Sequence, residues 1–216
     1  MLLAWLKVVS EPVGMSFHPG LIPFSELAAK LRAAALPGAI QTRVIGIDGG
    51  GGSGKSTLAR QLSPHLDFCP VVSTDDFSSW NQPFDWATRV QDQLLSPLLR
   101  GQAPSFEVYD WGAKKWGDER HLPVCPFLIL EGVGALRSEL RPFLSFSIFI
   151  DCAADSRLKR GLARDSTFTL EQWQWWRREE DAYFLRDQPA RFADLVLNGD
   201  ASPDGAVEVL VSRASK

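Results

Sequence analysis

Residues 42–62, TRVIGIDGGGGSGKSTLARQL, run from a short β-branched apolar stretch through four consecutive glycines into a segment with helical spacing. Between Gly46 and Leu62, six glycines and two serines leave the backbone nearly bare. Gly49, Gly50, Gly51, Gly52, Ser53, Gly54, Lys55 and Ser56 fit the pattern G-x-x-x-x-G-K-[ST], in the strand-to-helix setting that the pattern requires. Glycines let the chain fold back so that successive N–H groups reach phosphate oxygens, and the following helix adds the positive end of its dipole. Lys55 is expected at the β- and γ-phosphates and the Ser56 hydroxyl on Mg2+, with Thr57 the last of the nucleotide-contacting residues. A glycine-rich turn without a ligand is the bland alternative, and the full motif in its setting argues against it. ATP or GTP binding follows, with ATP the expected phosphate donor.

Working outward, four more short apolar runs resemble the strand at 42–48: PVVST (70–74), FLILEG (127–132), FSIFID (146–151) and ADLVLNG (193–199). Helical spacing is expected over 24–34, 87–100, 135–142, 154–165 and 170–187. Strands apolar on both faces, separated by helices, predict an α/β fold: a doubly wound, five-stranded parallel sheet with helices on both faces. The region 78–124 is rich in Trp, Pro, Gly and charge, and its part SFEVYDWGAKKWGDERHLPV reads as a hairpin inserted beside the sheet.

Composition excludes several classes. A chain of 216 residues, 45% hydrophobic, can bury one sizeable core. Its net charge of −3 and pI of about 5.6 give no basic footprint for nucleic acid. Cys69, Cys125 and Cys152 are far apart and form no C-x-x-C pair, so neither a zinc site nor a disulfide framework is expected, and a reducing cytoplasm suits them. The run MLLAWLKVV (1–9) makes a poor signal peptide, and Met15 is an alternative start. No stretch approaches the ~18 apolar residues of a membrane span, so no membrane partner is expected. A homo-oligomer is compatible with the sequence.

Acids at the carboxyl ends of parallel strands sit where ligands bind in open α/β sheets. STDDF delivers Asp75 and Asp76 to such a position; one of them would accept the proton of an attacking hydroxyl and help hold Mg2+, the alternative being that they cap the next helix. LILEG delivers Glu131 beside the phosphate loop as a further metal ligand, directly or through water. In ADSRLKRGLARD, Arg157, Arg160 and Arg164 share a helical face, with Leu158 and Leu162 on the other. They suit either a solvated basic stripe or a lid closing over the γ-phosphate, with Asp165-Ser166-Thr167 at its tip.

The order of GGGGSGKST, STDDF, FDWATRVQDQLL, VYDW, LILEGVGA and RLKRGLARD resembles the uridine kinase and phosphoribulokinase group of small P-loop kinases over about residues 42–200. The resemblance implies a kinase domain at 42–216, with an acceptor-binding insertion at about 78–124 and a lid at about 157–172, behind an N-terminal extension (1–41) with one helix. It implies Asp75 as base, Asp85 on ribose hydroxyls, Tyr109 near the nucleobase, and Arg160 and Arg164 as lid arginines, with Asp76 also on the acceptor side. Two departures touch substrate identity. Lys114 stands where uridine kinases carry a His, and STFTLEQ replaces their E-R-G-R lid sequence. Lysine offers donors and a fixed charge, suiting a carboxylate or phosphate better than a carbonyl. A small hydroxyl compound is therefore the expected partner, a nucleoside first and an anionic acceptor second. A nucleotide-driven switch and a non-catalytic binding module are the remaining classes; the first gives Asp85 and Tyr109 no task, and intact Lys55, Ser56, Asp75 and Glu131 oppose the second.

Eight tryptophans are many for this length. On a helix Trp173, Trp176, Tyr183 and Phe184 form one apolar stripe, Trp175 points elsewhere toward a ligand or a subunit, and Glu180 falls inside the stripe. A carboxylate there needs a partner, expected from the lid helix or from Arg177 and Arg178. His18, His65 and His121 are scattered and suit surface or core positions.

Overall fold

The computed structural model describes residues 19–38, 41–164, 169–201 and 204–213. The runs 1–9, Met15, His18 and the expected lid tip at 165–167 lie outside the described residues. Five strands, β2 (Arg43–Asp48), β3 (Val71–Ser73), β6 (Phe127–Glu131), β7 (Phe146–Asp151) and β8 (Leu195–Asn198), are parallel neighbours in the order β8-β7-β2-β6-β3. Alternate side chains divide the core between two faces. Ile45, Ile47, Ile129 and Ile148 meet α1 (Phe24–Ala33) and α2 (Lys55–Leu62), while Val44, Leu128 and Leu130 meet Val90, Leu94 and Leu98 of the helical stretch running from α3 (Ala87–Val90) to α4 (Ser96–Leu99).

Two further strands extend this sheet. β1 (Gly20–Pro23) pairs antiparallel with β9 (Ala206–Ser212), which pairs antiparallel with β8. With Ile22, Leu27 and Leu31 in the same core as the central strands, residues 20–33 pack on the sheet itself. The hairpin is present as β4 (Ser105–Asp110) and β5 (Lys115–His121), a separate two-stranded sheet. The helix expected at 135–142 is absent. Only a 3-10 turn at Arg141–Phe143 forms; the Ser138 amide, which a helix there would pair with the Gly134 carbonyl, bonds Asp187 instead.

Helices α5 (Ala154–Arg164) and α6 (Leu170–Asp187) cover the phosphate loop. Their packing reverses the expected face of α5. Leu162 is exposed, and Gly161 is the buried residue, its Cα against the Trp173 ring. α6 begins with a capping box from Thr169 and Gln172. Among the described residues, no helix is long and apolar enough to cross a membrane.

Gly161→Ala tests this packing. Alanine gains about 1 kcal/mol of helix propensity, but its methyl would overlap the rigid, buried Trp173 indole. A net loss of about 1–2 kcal/mol is expected by urea denaturation; a gain in stability would show that α5 does not pack on Trp173.

Candidate active site

The phosphate loop is built outward from β2. Asp48, its last residue, is fully buried and accepts from Gly49 N–H (2.6 Å), Gly134 N–H (3.2 Å), Leu136 N–H (2.8 Å) and the Tyr183 hydroxyl (2.6 Å). Burial pushes its carboxyl up, against the pull of those donors. The Tyr183 hydroxyl is pushed far up by its own burial and by Asp48. Gly52 follows with φ +78°, and a Cβ there would overlap the Arg157 carbonyl. The glycines thus have a second cause that phosphate binding alone does not suggest: α5 and α6 press directly on the loop's outer side.

At this contact Glu180, 1% exposed, accepts from Gly51 N–H (2.7 Å) and Trp176 Nε1–H (2.9 Å) through Oε1, and from Arg157 Nη1 (2.9 Å) through Oε2. The expected arginine partner from the lid helix is Arg157. With only 13% of its side chain exposed, Arg157 is no part of a solvated stripe.

A cleft of about 610 Å³ opens on the inner side of the loop, where Gly51, Gly52, Lys55 and Ser56 meet Ser73, Asp75 and Glu131 from the strand ends. Lys55 Nζ donates to Gly50 O (3.0 Å), and Ser56 Oγ donates to Glu131 Oε1 (3.0 Å). Burial raises the Glu131 carboxyl, and Lys55 pulls it back. The donor set is oxygen only, with no group of three His, Cys, Asp or Glu among the described residues able to hold a metal alone. That fits Mg2+, which binds through one or two carboxylates together with substrate phosphates. Opposite stand Trp80, Trp111 and Lys114 from the insertion and Arg164, Gln172, Trp173 and Trp176 from α5 and α6. A second cleft, about 330 Å³, flanks Ser53, Gly54 and Thr57 on the loop's other side.

No protein-family model matches the chain. Curated relatives named uridine kinase do. The protein from Borrelia duttonii (strain Ly) is 27% identical over 191 residues, covering 79% of this chain and 93% of the relative. That from Lactobacillus johnsonii is 28% identical over 198 residues, covering 79% and 92%. A solved structure described as a possible uridine kinase from Bacillus stearothermophilus superposes with TM-score 0.61 at 24% identity, over 80% of this chain and 96% of that one, a likeness of fold. The chain is a small-molecule kinase, similar to uridine kinases.

The expected residues of this kinase divide cleanly. Lys55, Ser56, Asp75, Glu131, Lys114 and Arg164 line the one cleft. Arg160 does not; its guanidinium donates to Gly199 O (2.8 Å) and lines the second cleft. Asp76 turns away to Arg120 of β5 (3.3 Å), tying the hairpin to the sheet. Burial raises the Asp76 carboxyl, and Arg120 opposes it. Asp85 is exposed and outside the cleft lining, and Tyr109, also outside it, is buried edge-on to Trp111 (5.2 Å) and Trp116 (5.1 Å). Trp175 packs on Phe84 and Trp176, and it is Trp176 that faces the cleft. Trp176 was missed as a cleft residue because tryptophan at helical spacing reads as core, and Asp48 because the phosphate-loop pattern begins one residue after it.

Tyr183→Phe keeps the ring and removes one of the four donors to Asp48. Stability should fall by about 1–2 kcal/mol in urea unfolding; an unchanged midpoint would show that this bond carries nothing.

Proposed function

We propose that this kinase transfers the γ-phosphate of ATP to a hydroxyl of a small metabolite, with a nucleoside as the first choice. The observation that carries the reading is that Lys55, Ser56, Glu131 and Asp75 line one cleft together with indole side chains. Lys55 neutralises the β- and γ-phosphates, and the loop amides from Gly49 to Thr57 hold the rest of the triphosphate. The second cleft, beside Gly54 and Thr57, receives the nucleoside end of ATP, with Arg160 at its rim. Ser56, Glu131 and Asp75 would hold Mg2+, which would supply neutralisation of charge on the transferred group. Asp75 takes the proton of the acceptor hydroxyl as its oxygen bonds to phosphorus and the bond to the β-phosphate oxygen breaks. Arg164, at the cleft's α5 edge, meets the charge that builds on the phosphoryl oxygens.

Asp75→Asn preserves shape and removes basicity. Turnover should fall by about 10² or more while ATP binding survives, measured as ADP release with a panel of nucleosides, vitamins, sugars and hydroxy acids. Crippling by Asp76→Asn instead would move the base, although Asp76 is engaged with Arg120.

For the acceptor, the indole faces of Trp80, Trp111 and Trp176 suit a flat base, and the curated relatives are named uridine kinases. One observation favours an anionic acceptor as the second reading: Lys114, held at φ +54° in the hairpin turn, lines the cleft with its ammonium 5.7 Å from the Trp80 ring centre. Lys114→His separates the two. A nucleoside kinase keeps or improves its turnover of uridine or cytidine; a kinase for an anionic acceptor loses about 2 kcal/mol or more in kcat/KM for it.

A further inference from the structure

The Glu180 carboxylate is nearly fully buried, yet it lies outside the cleft lining and has no part in the phosphoryl transfer described above. Its donors come from three places. Gly51 belongs to the loop, Trp176 lies one helical turn earlier on α6, and Arg157 belongs to α5. One oxygen, Oε1, takes both the Gly51 amide and the Trp176 indole N–H. Gly51 lies at a particular end of the loop: it lines the cleft with Lys55, Ser56, Asp75 and Glu131, while Ser53, Gly54 and Thr57 line the opposite cleft. This is the end at which the γ-phosphate and the acceptor meet. Trp176 lines the same cleft. Burying a carboxylate is costly unless it is paired, and Arg157 supplies the pair.

We propose that Glu180 is a positioning residue that fixes the γ-phosphate end of the loop to the Trp176 wall of the acceptor cleft, so that both substrates are held in one frame. The inference rests on the kinase reading of the cleft. Removing the carboxylate frees the Gly51 amide but leaves the amides at the Gly54 end untouched. ATP, which reaches the Gly51 end, should therefore suffer more than ADP, which stops short of it.

The test is calorimetric titration of the full chain with ATP and with ADP in the presence of Mg2+. Glu180→Ala should bind ATP about tenfold more weakly and ADP less than about threefold more weakly. Because Glu180→Ala strands the Arg157 guanidinium, R157A/E180A is measured beside it and should show the same selective loss. Glu180→Gln keeps an acceptor oxygen for Gly51 and Trp176 and should restore ATP affinity to within about threefold of wild type. Trp176→Phe should add no further loss when combined with Glu180→Ala, since both act through Oε1. Parallel losses for ATP and ADP, or unchanged ATP affinity in both E180A and R157A/E180A, overturn the proposal. Additive losses in E180A/W176F overturn its link to the acceptor wall. A wild-type chain that binds neither nucleotide overturns the kinase reading itself, an outcome visible before any variant is made.

Discussion

A single buried carboxylate, that of Asp48, holds the site together. It closes the central strand and collects amides from two turns that no regular structure could satisfy: Gly49 at the start of the phosphate loop, and Gly134 and Leu136 after β6. Unpaired, each of those buried donors would carry a desolvation penalty, and so would the carboxylate. Its fourth partner, the Tyr183 hydroxyl, brings in α6 from 135 residues away in sequence. Loop, strand-end turn and covering helix are therefore fixed by one group with two oxygens.

Tyr183 and Glu180 lie three residues apart and so share a face of α6. Through Tyr183 and Asp48 the helix reaches Gly49, and through Glu180 it reaches Gly51. The loop is thus gripped at two points two residues apart, with Arg157 laid over Gly50 between them. A loop held this way has little conformational freedom left to lose when phosphates dock on its inner side, which lowers the cost of binding. Bare backbone serves both faces: phosphate approach within, and side-chain packing without.

The fold was legible because it follows from short-range rules. Five both-sided apolar strands and a glycine-rich strand-to-helix turn leave few arrangements, and Lys55, Ser56, Asp75 and Glu131 inherit their positions from strand ends and the helix start. What escaped depends on long-range contacts. The segment 135–142 has helical spacing, but Asp187 claims the Ser138 amide, the first that a helical ladder there would need. β9 lies between β8 and the edge strand β1, which is only four residues long. Arg160 shares a predicted face with Arg157 and Arg164, yet the Gly199 carbonyl draws it to the other side of the loop.

The acceptor side was least legible for a related reason. On the proposed reading, donor chemistry is carried by the sheet, whose geometry repeats from strand to strand, whereas the acceptor wall is assembled from the insertion and from α6. The Asp76–Arg120 pair, with Arg120 also donating to the Val71 carbonyl (3.0 Å), sets where the hairpin stands against β3. Trp111 then donates to the Asp75 carbonyl (3.3 Å), so the indole wall is referenced to the residue proposed as base. An acid that read as a substrate contact thus acts one step removed, positioning the hairpin that forms the wall. On the proposed reading, substrate choice in this kinase depends on how the hairpin and α6 are docked on the sheet, which no local motif encodes.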